Sequence, residues 1–125
     1  MTNKCILIID DEEDIREIAR ICFETVGDWQ VSTAKSGSEG LIYAQSKQPD
    51  AILLDMMMPE MDGLKTLVKL KTNQLTMNIP VIFLTAKYNL LESGELAQLE
   101  VTGVIPKPFE PMTLAQQVEQ LLNLN

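Results

Sequence analysis

Residues 4–11 read Lys-Cys-Ile-Leu-Ile-Ile-Asp-Asp, a short and mostly apolar run that ends in two acidic residues. Similar apolar runs occupy residues 51–54, 81–84 and 101–105, and none of them contains a charged side chain. Unbroken apolar segments of this length are typical of parallel strands that are covered on both faces. Residues 29–34 alternate between apolar and polar side chains and predict an edge strand. The sequence therefore predicts five strands.

Amphipathic helical patterns separate these strands. Ser36 and Glu39 form a capping-box pair that predicts the start of the second helix. Four other helices are indicated by apolar residues at helical spacing: Ile15, Ile18, Ala19, Cys22 and Val26; Leu64, Leu67 and Val68; Leu90, Leu91, Leu96, Ala97 and Leu99; and Leu114, Val118, Leu121 and Leu122. The alternation predicts one α/β domain over residues 1–125, a flavodoxin-like, doubly wound parallel sheet in the order 2-1-3-4-5 with five helices on its two faces.

Composition excludes several classes of function. Ten Lys and Arg against 18 Asp and Glu give a net charge of −8, which disfavours binding to nucleic acid or to an anionic membrane. The chain has no His, which excludes Ser-His-Asp triads and His-containing zinc sites. Cys5 and Cys22 lie among apolar residues, so we expect buried thiols. No apolar run is long enough for a membrane span or a signal sequence, so we expect a cytoplasmic protein.

Acidic residues follow the first and third predicted strands. In a doubly wound sheet, ligands bind beyond the carboxyl ends of the strands where the strand order reverses, which here is between strands 1 and 3. Asp10, Asp11 and Asp55 should therefore converge. Three carboxylates repel one another unless a cation offsets their charge, and oxygen ligands favour Mg²⁺. The alternative is that Asp10 and Asp11 only stabilise the start of the first helix.

Strands 4 and 5 add a hydroxyl and an ammonium group at the same edge. Thr85 ends strand 4, and Lys107 follows strand 5. Taken singly, each is more simply a strand-end residue or a solvated charge. Together with the carboxylates they match phosphoryl transfer, which needs charge neutralisation and positioning. Asp55 is the better candidate nucleophile, because it stands alone on the middle strand. The chain has neither a P-loop nor a His, so another molecule must supply the phosphoryl group.

The motifs that contain these residues resemble the response-regulator receiver domains of two-component signalling. They are, in chain order, Asp10-Asp11; residues 55–63, similar to the family pattern D-x-x-M-P-x-x-D-G; Thr85-Ala86; and Lys107-Pro108-Phe109. The resemblance covers the whole chain. Because the last helical pattern ends near Leu122, we expect a stand-alone receiver similar to the chemotaxis regulators. The alternative is a piece of a hybrid kinase or of a longer regulator, which would have the same sequence features.

This resemblance implies a partner and a metal. Asp55 would accept a phosphoryl group from a phosphohistidine on a sensor histidine kinase or a histidine phosphotransfer protein. Mg²⁺ (or Mn²⁺) would be bound directly by Asp11, Asp55 and the backbone carbonyl of Met57, and through water by Asp10. The chain would be a regulatory switch rather than an enzyme, assisting only its own phosphorylation and dephosphorylation and changing its binding to an unidentified downstream protein.

The resemblance also implies a switch, with one departure from the family pattern. Lys107 would pair with Asp55 and then with the phosphoryl oxygens, from a cis Lys107–Pro108 peptide that aims it into the pocket. Thr85 would move to hydrogen-bond the phosphate. A Tyr or Phe commonly lies three residues before the lysine, but this chain has Val104. We therefore expect a smaller change, carried by the loop after Thr85 and the helix predicted over residues 90–99.

Three other functions compete with this interpretation. A receiver that binds partners without phosphate is supported only by Val104. In a flavodoxin-like electron carrier, Asp10, Asp11 and their acidic neighbours would repel the flavin phosphate. A phosphatase similar to the haloacid dehalogenases needs a second Asp two residues beyond the nucleophile, where this chain has Met57.

Overall fold

Strands and helices alternate along the structure, a computed structural model that describes residues 4–26, 28–58, 61–86 and 101–123. The strands are β1 (Cys5–Ile9), β2 (Gln30–Ala34), β3 (Ala51–Asp55), β4 (Val81–Thr85) and β5 (Gly103–Pro106). The helices within the same ranges are α1 (Glu13–Thr25), α2 (Gly37–Lys47), α3 (Gly63–Lys71) and α4 (Leu114–Leu122), the last preceded by a 3₁₀ turn at Pro111–Thr113. The helix predicted over residues 90–99 lies outside the described residues. None of the described helices is both long and apolar enough to cross a membrane.

The sheet is parallel, and its strand order is β2-β1-β3-β4-β5. The order reverses at β1, where Ile9 lies opposite Ala34 of β2 on one side and Leu54 of β3 on the other. The predicted α/β fold and strand order are therefore confirmed. Because the five strands run in one direction, their carboxyl ends meet at a single edge of the sheet.

Side chains of the central strands alternate between two apolar layers, one on each face of the sheet. Ile8 belongs to the layer that contains Phe23 of α1, and Ile9 belongs to the layer that contains Leu67 of α3. Both faces of the central strands are buried, which is why these strands have no polar side chains before their ends.

The start of α2 confirms the predicted capping residue. Ser36 Oγ accepts a hydrogen bond from the backbone N–H of Glu39 at 3.1 Å. The Glu39 carboxylate reaches back to the backbone N–H of Lys35, at 2.9 Å, one residue beyond the usual partner in a capping box. Two backbone donors at this helix start are thereby satisfied.

Helix α3 turns a different side to the sheet from the one that its apolar pattern indicates. Gly63, Leu67 and Leu70 are buried, whereas Leu64 is 39% and Val68 is 58% exposed. The backbone of Gly63 lies so close to β3 that a Cβ there would be 2.6 Å from the carbonyl oxygen of Asp55. This contact brings the Gly63 side of the helix against the sheet and leaves Leu64 and Val68 in solvent.

The two cysteines differ in burial. Cys22 is buried in α1, as expected. Cys5 is only half-buried, and its Sγ donates a weak hydrogen bond to Gln30 Oε1 at 3.4 Å. The expectation of a buried thiol is wrong for Cys5 because this residue begins β1, where the apolar layers end.

Candidate functional site

Three carboxylates meet at the carboxyl edge of the sheet. Asp10 directly follows β1, Asp11 is the next residue, and Asp55 is the last residue of β3. One carboxylate oxygen from each of them lies within 4.8 Å of the others. Asp10 and Asp55 are buried, whereas Asp11 is exposed. This carboxylate cluster (Asp10, Asp11 and Asp55) is therefore open to solvent on the Asp11 side.

Asp10 is fixed from several directions. Its backbone N–H donates to the carbonyl oxygen of Ala34 at 3.1 Å, which extends the β1–β2 ladder by one residue. Its Oδ1 accepts from the backbone N–H of Glu12 at 2.9 Å, just before α1. Its Oδ2 is buried and lies 3.0 Å from Lys107 Nζ. Asp10 thus closes a turn just before the first helix without capping that helix, and its second oxygen faces the site.

Asp55 lies beside the same ammonium group. Its Oδ1 accepts from the backbone N–H of Met57 at 3.1 Å and lies 3.3 Å from Lys107 Nζ. Burial and the charge of Asp10 raise the pKa of Asp55 from 3.8 to about 6, although the Met57 N–H and Lys107 act in the opposite direction. In the metal-free protein, the ionised form of Asp55 is therefore less favoured than that of a carboxyl group in water.

Lys107 bridges the two buried carboxylates. The Lys107–Pro108 peptide is cis, and 16% of the Lys107 side chain is exposed. Burial alone would lower the pKa of Lys107, but the hydrogen bonds and ion pairs with Asp10 and Asp55 outweigh it and raise the pKa above its ordinary value. The ammonium group is therefore charged at neutral pH.

The remaining predicted site residues lie at the same edge. Thr85 ends β4, is buried, and accepts a hydrogen bond from the backbone N–H of Lys107 through its carbonyl oxygen at 2.8 Å. Met57 is exposed immediately after β3. Met56 and Met58 are buried in the apolar layer beneath the site. Val104, where the family pattern has an aromatic residue, is half-buried in β5.

Arg16 reaches the site although its sequence position gave no indication of it. Its Nη1 donates to the backbone carbonyl oxygen of Asp10 at 2.8 Å, from the second turn of α1. The only signal in the sequence is a basic residue that follows the acidic run of residues 11–14. The backbone donors of Glu12 and Met57 could not be found from residue types either, because every residue type except proline has such a donor.

The charges of the carboxylate cluster suit a hard divalent cation. Among the described residues, Lys107 forms ion pairs with two of the three carboxylates, so like-charge repulsion is only partly offset. The available side-chain ligand atoms are oxygens, and exposed Asp11 leaves room for water. Mg²⁺ prefers this combination of few carboxylates and retained water. The residues present therefore fit the metal that the sequence predicts.

The raised pKa of Asp55 predicts that the free energy of unfolding of the metal-free protein falls as pH rises from about 4 to 6. Between the unfolded pKa of 3.8 and the folded value of about 6, the folded state binds more protons, so deprotonation favours unfolding. The loss is about 2–3 kcal/mol, and Asp55→Asn should remove it. Urea unfolding in EDTA, followed by fluorescence of Trp29, measures both proteins between pH 4 and 8. An equal pH dependence in the two proteins would contradict the prediction.

Comparisons with known proteins agree on one family. Residues 6–119 match the family model described as "Response regulator receiver domain". The phosphate regulon transcriptional regulatory protein PhoB of Pseudomonas aeruginosa is 36% identical over 124 residues, which are 98% of this chain and 53% of PhoB. The alkaline phosphatase synthesis transcriptional regulatory protein PhoP of Bacillus subtilis is 34% identical over 120 residues, 96% of this chain and 49% of PhoP. The chain thus spans about half the length of these curated relatives.

Solved structures show the same architecture. The chemotaxis response regulator CheY4 of Vibrio cholerae superposes with a TM-score of 0.86 at 28% identity, covering 96% of this chain and 99% of CheY4. The N-terminal domain of a response regulator receiver protein from Methanoculleus marisnigri gives a TM-score of 0.79 at 34% identity, covering 99% of this chain and 100% of that domain. Both sequence and structure therefore point to the same kind of module.

Proposed function

The chain belongs to the response regulator receiver domain family, the phosphoacceptor modules of two-component signalling, and from that premise we propose that Asp55 is its phosphoryl acceptor. The observation that carries the proposal is the position of the Asp55 carboxylate. It is buried at the end of the middle strand, 3.3 Å from Lys107 and beside two further carboxylates. A pKa of about 6 leaves this carboxylate mostly ionised at neutral pH, as a nucleophile must be.

In the proposed reaction, a carboxylate oxygen of Asp55 attacks the phosphorus of a phosphohistidine on a donor protein. An O–P bond forms while the N–P bond breaks, and the departing imidazole nitrogen takes a proton from water. Lys107 is already beside Asp55, so its ammonium group can pair with the phosphoryl oxygens without a large movement. The products are an aspartyl phosphate and an unmodified histidine.

We propose that Mg²⁺ (or Mn²⁺) is bound by Asp11, Asp55 and the backbone carbonyl of Met57, and through water by Asp10. When bound, the ion neutralises charge on the phosphoryl oxygens. Support comes from the short separation of the carboxylate oxygens and from the exposure of Asp11 and Met57. Asp10 Oδ2 is already paired with Lys107, which favours the indirect role for Asp10.

We further propose that the Thr85 hydroxyl turns toward the phosphate and that this movement changes partner binding. The backbone N–H of Lys107 donates to the carbonyl oxygen of Thr85, which holds the two residues next to each other. Both side chains can therefore contact the same phosphoryl group. Val104 pairs with Phe83 in the sheet and has no ring to swing inward, so the change should stay close to the end of β4. We propose that residues 1–125 form one receiver unit and that it lies in the cytoplasm, which suits the likeness to proteins named as transcriptional regulators.

Acetyl phosphate should phosphorylate the protein once, and only with a divalent cation. Asp55 is the proposed nucleophile, so intact mass should increase by one phosphoryl group in the wild type with Mg²⁺, and not in EDTA. Asp55→Asn should show no increase, whereas Asp62→Asn keeps the carboxylate cluster and should be labelled. A folded wild type that gains no phosphate would contradict the proposal and favour a receiver that binds partners without phosphate.

An apolar hollow beside the site is suited to the donor protein. Its volume is about 360 Å³, and its lining includes Ile15 and Ile18 of α1 together with Lys107, Pro108 and Phe109. A histidine that delivers phosphate to Asp55 must approach over this edge of the sheet. We propose that apolar side chains around the donor histidine of a kinase or phosphotransfer protein pack into the hollow.

Ile18→Asp should slow transfer from a protein donor but not from acetyl phosphate. Ile18 is 41% exposed and lines the hollow, so a charge there opposes apolar packing. Ile21→Asp is the matched control, because Ile21 is 53% exposed on the same helix but does not line the hollow. The donor is an autophosphorylated kinase core that labels the wild type, and transfer is followed with radiolabelled phosphate. Equal transfer to both variants would exclude this docking surface.

A further inference from the structure

Arg16 makes a contact that the proposed phosphorylation chemistry leaves without a role. Its guanidinium Nη1 donates to the backbone carbonyl oxygen of Asp10 at 2.8 Å, and the side chain is half-buried. This carbonyl lies just beyond the last residue of β1, where the chain leaves the sheet and turns toward α1. The hydrogen bond is charge-assisted, which makes it stronger than a bond between neutral groups.

With this contact, three polar groups of Asp10 take part in hydrogen bonds, and the fourth, buried Oδ2, is held by an ion pair. The backbone N–H bonds to Ala34, Oδ1 accepts from the N–H of Glu12, and Oδ2 pairs with Lys107. The carbonyl oxygen is held by Arg16. These contacts come from β2, from the start of α1 and from the residue that follows β5. Loss of the Arg16 contact would free the peptide that joins Asp10 to Asp11.

We propose that Arg16 is a positioning residue for the divalent-cation site, acting through the Asp10–Asp11 peptide. This inference rests on the proposed function, since it assumes that the carboxylate cluster binds Mg²⁺. Arg16 does not touch a carboxylate of the cluster in any described contact. It fixes the main chain from which the carboxylates of Asp10 and Asp11 project, as outer-shell partners of metal ligands do.

The charge of Arg16 and its hydrogen bond have opposite effects on the metal, so the two can be separated. A positive charge near the cluster repels Mg²⁺, so if only the charge mattered, Arg16→Met would bind Mg²⁺ more tightly. If the hydrogen bond positions the ligands, Arg16→Met should bind Mg²⁺ more weakly. Arg16→Lys keeps the charge and can still donate to one carbonyl oxygen, so positioning predicts a smaller loss there than in Arg16→Met.

Mg²⁺ titration calorimetry on the metal-free protein tests the proposal. We expect Arg16→Met to raise the Kd for Mg²⁺ about tenfold, the lower end of the loss seen when an outer-shell partner is removed. Arg20→Met is the matched control. It removes the same charge from the same helix, but Arg20 pairs with Glu17 and Glu24 on the surface and not with Asp10. Its Kd should stay within about twofold of the wild type, because exposed charges are screened.

Thermal unfolding with and without EDTA separates a role of Arg16 in positioning the metal ligands from a role in the stability of the fold. A positioning role predicts that Arg16→Met lowers the Mg²⁺-induced rise in Tm by more than it lowers the Tm of the metal-free protein. An unchanged or tighter Kd in Arg16→Met would overturn the proposal, as would a larger loss of affinity in Arg16→Lys than in Arg16→Met. If the wild type itself binds no Mg²⁺ in the titration, the proposed function fails, and the inference about Arg16 fails with it.

Discussion

Lys107 Nζ lies 3.0 Å from Asp10 Oδ2 and 3.3 Å from Asp55 Oδ1, so one ammonium group holds two buried carboxylates side by side. Removing a carboxylate from water is costly unless a cation or hydrogen bonds replace the lost solvation. Lys107 and the backbone donors of Glu12 and Met57 provide part of that replacement. The pKa of Asp55 remains raised, which shows that the compensation is incomplete. The uncompensated negative charge of the carboxylates suits a divalent cation at this edge of the sheet.

The parallel sheet supplies this arrangement because it brings the ends of separate strands together. Asp55 lies opposite Leu84, and Thr85 lies opposite Pro106, so the groups that follow β3, β4 and β5 are in register at one edge. The strands behind them are buried between two apolar layers. Close-packed layers resist deformation, so the repulsive groups at the edge are held in place by the core beneath them.

The order of strands and the convergence of Asp10, Asp11, Asp55 and Lys107 could be predicted from the sequence, because each of these residues lies within two positions of the end of an apolar run. The end of a strand can be read from a few neighbouring residues. In a parallel sheet, the carboxyl ends of the strands then meet at one edge. The contacts across helices could not be predicted in this way. The buried side of α3 depends on the close approach of Gly63 to Asp55, and the contact of Arg16 depends on how α1 is rotated against β1. Both depend on how a helix is rotated against the strand that precedes it, to which residue spacing is insensitive.

The central claim, that the carboxylate at the end of β3 receives the phosphoryl group, is tested most directly by locating the modification. Borohydride reduces an aspartyl phosphate to homoserine, and tandem mass spectrometry identifies the altered residue after digestion. The site geometry predicts homoserine at Asp55 alone. Conversion at Asp10 or Asp11 with an intact Asp55 would contradict the assignment, because the nucleophile would then lie on β1 rather than on the middle strand.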